Sequence, residues 1–207
     1  YVKGEDNIQI CSENVAFNQT LSQTSVDVKP GEVLEIYQDK IEHIFTYQNY
    51  TLGICLFEYI YFINGQTTWN GTKADNFRYD CGIQLGMQEK ESNIIKYPQN
   101  YVVIGIPQTG IIGGEGYAKI RNIPYIQYIS KNKNINRTFI LREEERDNIS
   151  KQKYAYHPSL TNKKVIIVDD SIVRGITTKN IVKKLKDMGV KEIHVRVNAP
   201  PITNICN

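Results

Sequence analysis

The chain has 207 residues, 41% hydrophobic and 23% charged, with a formal net charge of +3 at pH 7. That size and balance suit one α/β domain with an appendage, or two small domains. Basic and acidic residues are interspersed, as on an ordinary solvated surface, and no apolar run approaches the ~18 residues of a membrane span. Nucleic acid and membrane are therefore not expected as partners. The four cysteines, Cys11, Cys55, Cys81 and Cys206, are widely spaced and form no CxxC, which argues against a disulfide framework. Asn-x-Ser/Thr triplets at Asn18, Asn49, Asn70, Asn136 and Asn148 read as chance in an Asn-rich chain, and a cytoplasmic location is expected.

Residues 1–50 read as short strands with turns, among them 8–11 and 33–37, separated by Pro30-Gly31. The aromatic, β-branched run 54–62 reads as a buried strand, followed by loop signals at Asn64-Gly65 and Asn70-Gly71. From Lys73 to about Lys90, the spacing of Phe77, Cys81 and Leu85 predicts a helix with that apolar face. Residues 101–106 form a second strand that enters the tight turn Pro107-Gln108-Thr109-Gly110 and a helix over 111–121. Residues 124–129 are a third strand. Residues 131–158 carry mixed charge without an apolar face, a length that suits a lid or a segment without fixed structure. A fourth strand over 165–168, a helix over 177–188 ending at Gly189, and a fifth strand over 192–197 complete the pattern. Strand–helix alternation from residue 101 predicts a parallel sheet in an α/β fold.

The chemistry concentrates in Lys164 to Met188. Val165 to Val168 run into Asp169 and Asp170, then a turn with Arg174 and Gly175, then Thr177 and Thr178 at a helix start. Carboxylates at the carboxyl end of a buried strand sit where open α/β sheets bind ligands. A glycine-bearing turn into a helix N-terminus suits a phosphate. Ribose hydroxyls, a divalent cation and a phosphate together satisfy every part.

VIIVDDSIVRGIT resembles the phosphoribosyl pyrophosphate (PRPP) motif of type I phosphoribosyltransferases. EIHVRVNAPPI, CLFEYIYF, Asn136-Arg137-Thr138-Phe139-Ile140 and Gly116-Tyr117-Ala118 narrow the resemblance to the glutamine PRPP amidotransferases. ICSENVAF and VKPGEVLEI look like the last strands of that family's glutaminase domain. The resemblance implies a type I phosphoribosyltransferase fold with a central, mostly parallel sheet over 51–207. A small β remnant of an N-terminal nucleophile glutaminase domain would precede it at 1–50. It also implies Mg2+-dependent transfer of ammonia to C1 of PRPP, giving 5-phosphoribosylamine and pyrophosphate at the first step of purine synthesis, by a homo-oligomer.

By position, Asp169 and Asp170 would bind ribose and Mg2+, and Ser171, Arg174, Gly175, Ile176, Thr177 and Thr178 the 5-phosphate. Thr109 and Gly110 would belong to the pyrophosphate loop, Thr109 also contacting the metal. Residues 131–153 match a lid, with Lys131 on PRPP and Arg137, Arg146 and Lys153 as catalytic residues. Some members hold a [4Fe–4S] cluster. Cys55 and Cys206 match two ligand positions, but the CxxC that completes the set is absent, so both read here as buried free thiols and a cluster is expected only in a longer form.

Two motifs depart from the family: its Pro-Asp-Ser-Gly is Pro107-Gln108-Thr109-Gly110, and its Arg-Gly-Thr-Thr is Arg174-Gly175-Ile176-Thr177. With Tyr1 first and Cys11 among closing strands, the chain is expected to use free ammonia or to be a fragment of a longer protein. The competing reading is a PRPP-binding, inactive regulatory or partner subunit. A base-salvage phosphoribosyltransferase would need a base-covering hood, which the sequence lacks.

Overall fold

The structure, a computed structural model, describes residues 1–4, 6–17, 25–37, 40–47, 53–92, 94–132 and 153–204. It divides into two compact units, Tyr1–Ala74 and Asp75–Asn207. The sequence reading set its division at residue 50.

The first unit is built from antiparallel pairs. β1 (Val2–Lys3) pairs with β2 (Ile8–Gln9), and β3 (Glu32–Tyr37) with β4 (Lys40–Thr46). β5 (Thr68–Trp69) and β6 (Thr72–Lys73) form a hairpin whose turn, Asn70-Gly71, has φ 46° and 72°. Asn and Gly tolerate that left-handed pair of conformations, which matches the twist of the strands. The run at 54–62 is not a strand. Leu56 and Phe57 are helical, and Glu58–Phe62 continues as a π-helical turn closed by the Ile63 N–H donating to Glu58 O (3.0 Å). Only Tyr59 and Ile60 of that turn are buried, while Tyr61 and Phe62 face out. Tyr59 stacks on Trp69 and donates its hydroxyl to the Trp69 carbonyl (2.7 Å). A short apolar run lacks the periodicity that separates strand from helix, and here packing onto Trp69 selects the helix.

The second unit carries the parallel sheet, in order β11 (Glu192–Val197), β10 (Lys164–Asp169), β7 (Tyr101–Gly105). β10 is central and covered on both faces, so its apolar run is unbroken rather than alternating. Val165 and Ile167 pack with Ile181 and Leu185 of α3 (Ile176–Asp187), the helix that follows β10. Ile166 and Val168 pack with Tyr117 and Ala118 of α2 (Gly110–Arg121). Just past α3 and its cap Met188, Gly189 has φ 79°, the left-handed conformation expected after a helix C-terminus. The 124–129 strand reduces to one parallel bridge, Val103 to Tyr125. Pro124 has no N–H to donate, and the Gln127 side-chain amide, rather than main chain, bonds Gly105 O (3.0 Å). The chain then forms β8 (Ile129–Lys131), antiparallel to β9 (Tyr154–Tyr156).

α1 (Ala74–Ser92) occupies the helical stretch expected, but with another face inward. Phe77, Cys81 and Leu85 are half-buried, whereas Ala74, Arg78, Gly82, Gly86 and Glu89 are buried. The glycines let α2 approach backbone to backbone: a Cβ on Gly82 would lie 1.9 Å from Gly113 O, and one on Gly116 2.1 Å from Tyr79 O. Glu89 accepts from the Arg196 guanidinium, with the Nε bond at 2.9 Å, and from the Tyr117 hydroxyl. Burial pushes the Glu89 carboxyl up, but these bonds more than offset it and hold the group below its usual value. Arg196 thereby ties α1 to β11.

Candidate functional site

The carboxyl ends of β7 and β10 lie side by side, joined by the Ile106 N–H donating to Val168 O (2.8 Å). At this edge β7 gives way to the Pro107–Gly110 turn, whose Pro107-Gln108 peptide is cis, and β10 ends in the acidic pair. Gly110 is fixed against the pair's strand: a Cβ there would lie 2.5 Å from Val168 O and 3.1 Å from the Asp169 Cα. That contact brings Thr109 to Asp170. The Thr109 hydroxyl donates to Asp170 Oδ2, and the Ser171 hydroxyl donates to Asp170 Oδ1 (2.6 Å). Both carboxylates of the pair are thus set on a rigid strand end, and one of them is aligned by two hydroxyls.

Asp169 and Asp170 are 8% and 7% exposed. Burial, and then the neighbouring Asp170 charge, pushes the Asp169 carboxyl up to about 7. Burial also raises Asp170, while its bonds from Ser171 and the charges of Arg78 and Lys153 pull it back. Two close carboxylates in a low dielectric repel one another and attract cations. Among the described residues no cluster of three or more His, Cys, Asp or Glu side chains could hold a metal. A pair of adjacent carboxylates suits an ion that completes its shell from substrate oxygens and water, the habit of Mg2+.

Beyond the pair, Gly175 caps α3 with φ 70°, a left-handed conformation that glycine adopts without strain. The first bond of this helix runs from the Lys179 N–H to Gly175 O (2.9 Å), so the N–H groups of Ile176, Thr177 and Thr178 are the donors every helix start leaves open. Ile176 and Thr177 are exposed and Thr178 is buried. Arg174 is exposed on the same loop, between Asp170 and α3. Lys153, at the entry to β9, is near enough for its charge to act on both aspartates, and its ammonium lies 5.3 Å over the Tyr154 ring. The Tyr154 hydroxyl in turn donates to Pro107 O (3.4 Å). Lys131 pairs with Tyr154 across β8 and β9 and is exposed.

Arg137, Arg146 and Cys206 lie outside the described residues. Cys55 is an exposed free thiol of the first unit, not the buried one the sequence suggested. Two contributions escaped the sequence reading. The Asn198 and Ala199 N–H groups donate to Asp169 O (3.0 Å) and Asp170 O (2.9 Å), so the chain leaving β11 straps the backbone of the pair. Extending the parallel register two residues past Val197 would have found them. Arg78, on α1, is the other. Its signal was an arginine four residues before Gly82 on a stripe of small residues.

No protein-family model matches the chain. It is 33% identical over 207 residues to the amidophosphoribosyltransferase of Methanothermobacter thermautotrophicus, covering 99% of this chain and 42% of that protein. It is also 33% identical over 206 residues to the Bacillus subtilis amidophosphoribosyltransferase, covering 97% and 41%. The solved structure of the allosteric regulatory enzyme of purine biosynthesis superposes with a TM-score of 0.77 at 33% identity, over 94% of this chain and 41% of that one. The B. subtilis glutamine PRPP amidotransferase complexed with ADP and GMP gives 0.72 at 33% identity, over 86% and 38%. The chain spans about two fifths of the length of these relatives.

Proposed function

The chain has the type I phosphoribosyltransferase fold and is a homologue of the phosphoribosyltransferase portion of amidophosphoribosyltransferases, and from that premise we propose that it binds Mg2+-PRPP and transfers ammonia to C1. The observation that carries this reading is the Thr109–Asp170 contact. It puts the turn after β7 and the acidic pair after β10 on one edge of one sheet, and the glycine-capped start of α3 follows the pair along the chain.

On this reading the ammonia lone pair forms the C1–N bond, the C1–O bond to pyrophosphate breaks with its electrons, and the nitrogen releases a proton. 5-Phosphoribosylamine and pyrophosphate result. No covalent nucleophile is needed, and the protein's work is alignment and charge neutralisation. Asp169 and Asp170 would hold Mg2+ together with ribose hydroxyls, and the ion would neutralise charge on the leaving pyrophosphate. Thr109 keeps Asp170 oriented and offers its main-chain N–H, with that of Gly110, to the anion. Residues 175–178 offer the helix-start donors and the Thr177 and Thr178 hydroxyls to the 5-phosphate. Lys153 contributes positive charge beside the aspartates. The hairpins of residues 1–50 we take as closing strands of a glutaminase-type domain, and glutamine as the natural source of the ammonia.

The test is pyrophosphate release from PRPP with Mg2+ and ammonium at mildly alkaline pH. Release above the no-enzyme blank, lost on replacing Asp169 and Asp170 by Asn, supports transfer. PRPP binding without release favours the inactive-subunit reading, whose specific motivation is Ile176, a 53% exposed apolar side chain at the phosphate-binding turn. Restored release in Gln108→Asp would support that second reading further. Neither binding nor release counts against both.

A further inference from the structure

We infer that the pocket at the amino end of β7 is a second anion site, in which Arg121, Lys90 and Lys96 take a phosphate group, independent of the acidic pair.

α2 has 12 residues, so its two ends stand about 18 Å apart. Gly110 at its start lies against the strand of the acidic pair, and Arg121 at its end lines an open pocket of about 420 Å3. Lys90 in the last turn of α1 and the 94–100 segment leading into β7 line the rest. Among the described residues the lining holds three cations, Lys90, Lys96 and Arg121, and no carboxylate. Ile95, Pro98 and Ile120 add apolar wall. The volume exceeds a bare phosphate and suits one carried on a small organic body.

Arg121 separates this pocket from an ordinary basic surface. It is 8% exposed, yet among the described residues no carboxylate forms an ion pair with it. Its Nη2 donates to Ile95 O over a long 3.4 Å, and its Nε is buried without a partner. Glu89, the buried carboxylate that feels its charge, is bonded instead to Arg196 and to the Tyr117 hydroxyl. Two guanidiniums thus share the charge of one carboxylate. A buried cation left so short of acceptors is costly, and an anion in the pocket supplies what is missing.

Helix-end electrostatics account for Lys90, in the last turn of α1, but not for the whole arrangement. Lys96 lies outside any helix. The Ala118 and Lys119 carbonyls at the end of α2 are already taken by the Ile123 (3.0 Å) and Asn122 (3.3 Å) N–H groups. A phosphate group fits the donors that remain. The planar guanidinium can fork onto two of its oxygens, and the exposed Lys90 and Lys96 ammonium groups meet its remaining charge.

The experiment follows the Arg121 Nε–H signal, assigned through the backbone, in proton–nitrogen correlation spectra of the chain in EDTA. Inorganic phosphate is the probe, titrated at constant ionic strength with chloride as the control. In wild type the signal should move saturably over millimolar phosphate and stay still in chloride. The Lys90→Met, Lys96→Met double variant alters only exposed side chains and should need roughly tenfold more phosphate. Thr177→Val, in the turn proposed for the 5-phosphate, should leave the Arg121 titration within about twofold of wild type. No Arg121 variant has to fold, because the signal is read in the intact chain. An Arg121 signal that ignores phosphate, or moves equally in chloride, overturns the proposal. So does an unchanged titration in the double variant. A response lost in Thr177→Val would assign the phosphate to that turn and overturn it as well.

Discussion

Thr109 shows how one hydroxyl joins two loops into a site. Its bond to Asp170 is made only because Gly110 lets the turn sit on the end of β10. Thr109→Ala should weaken Mg2+-PRPP binding by about 1–1.5 kcal/mol, roughly tenfold, while Thr109→Ser stays close to wild type. Calorimetric affinities check this, and an unchanged alanine variant would remove Thr109 from the site. Asp169 sets a pH dependence. Its carboxyl rises from the ordinary 3.8 to about 7 in the folded, metal-free protein, so the native state keeps a proton that the unfolded chain has released. The stability this gives is fully present below about pH 4 and is lost as pH rises through 7. In EDTA, the Tm difference between Asp169→Asn and wild type should therefore grow in favour of the variant from pH 4.5 to 8. A constant difference would contradict the shift. Both aspartates were legible in the sequence because carboxylates directly after a β-branched run have few other uses. Arg78 was not, because one arginine in a helix is ordinarily solvated.

Elements that bury a continuous apolar run were legible: β10 and β11 fall where the residues indicate, and α3 begins at the expected turn. Elements defined by the absence of side chains were not. The inward face of α1 is a glycine stripe, invisible to an apolar count, and the half-buried Phe77, Cys81 and Leu85 flank it. Gly82→Ala tests this packing by its sign. In a solvated helix the change would stabilise by up to about 1 kcal/mol. Against Gly113 O at 1.9 Å it should cost about 2 kcal/mol or more. Urea unfolding reads the difference, and a stabilised variant would refute the close approach. Glu89→Gln should cost on the order of 3 kcal/mol, because it leaves the Arg196 guanidinium buried without its carboxylate. The aromatic run at 54–62 was misread for a related reason: which of its faces is covered depends on Trp69, several residues further on.

At the scale of the whole chain, the second unit has the parallel sheet of the type I phosphoribosyltransferase fold, and the first unit is built mainly of antiparallel strand pairs. No described helix is long and apolar enough to cross a membrane. The relatives are more than twice as long, so the claim that belongs to this chain is narrower than their names. It is that the acidic pair on β10 and the turns beside it bind PRPP through a divalent ion. Isothermal titration of PRPP into wild type and into the Asp169→Asn, Asp170→Asn double variant, with Mg2+ and with EDTA, tests it directly. Wild type should bind saturably in Mg2+ and not in EDTA, and the double variant should bind at least tenfold more weakly. Equal affinity in both proteins, or no binding by wild type at millimolar PRPP with Mg2+, would contradict it.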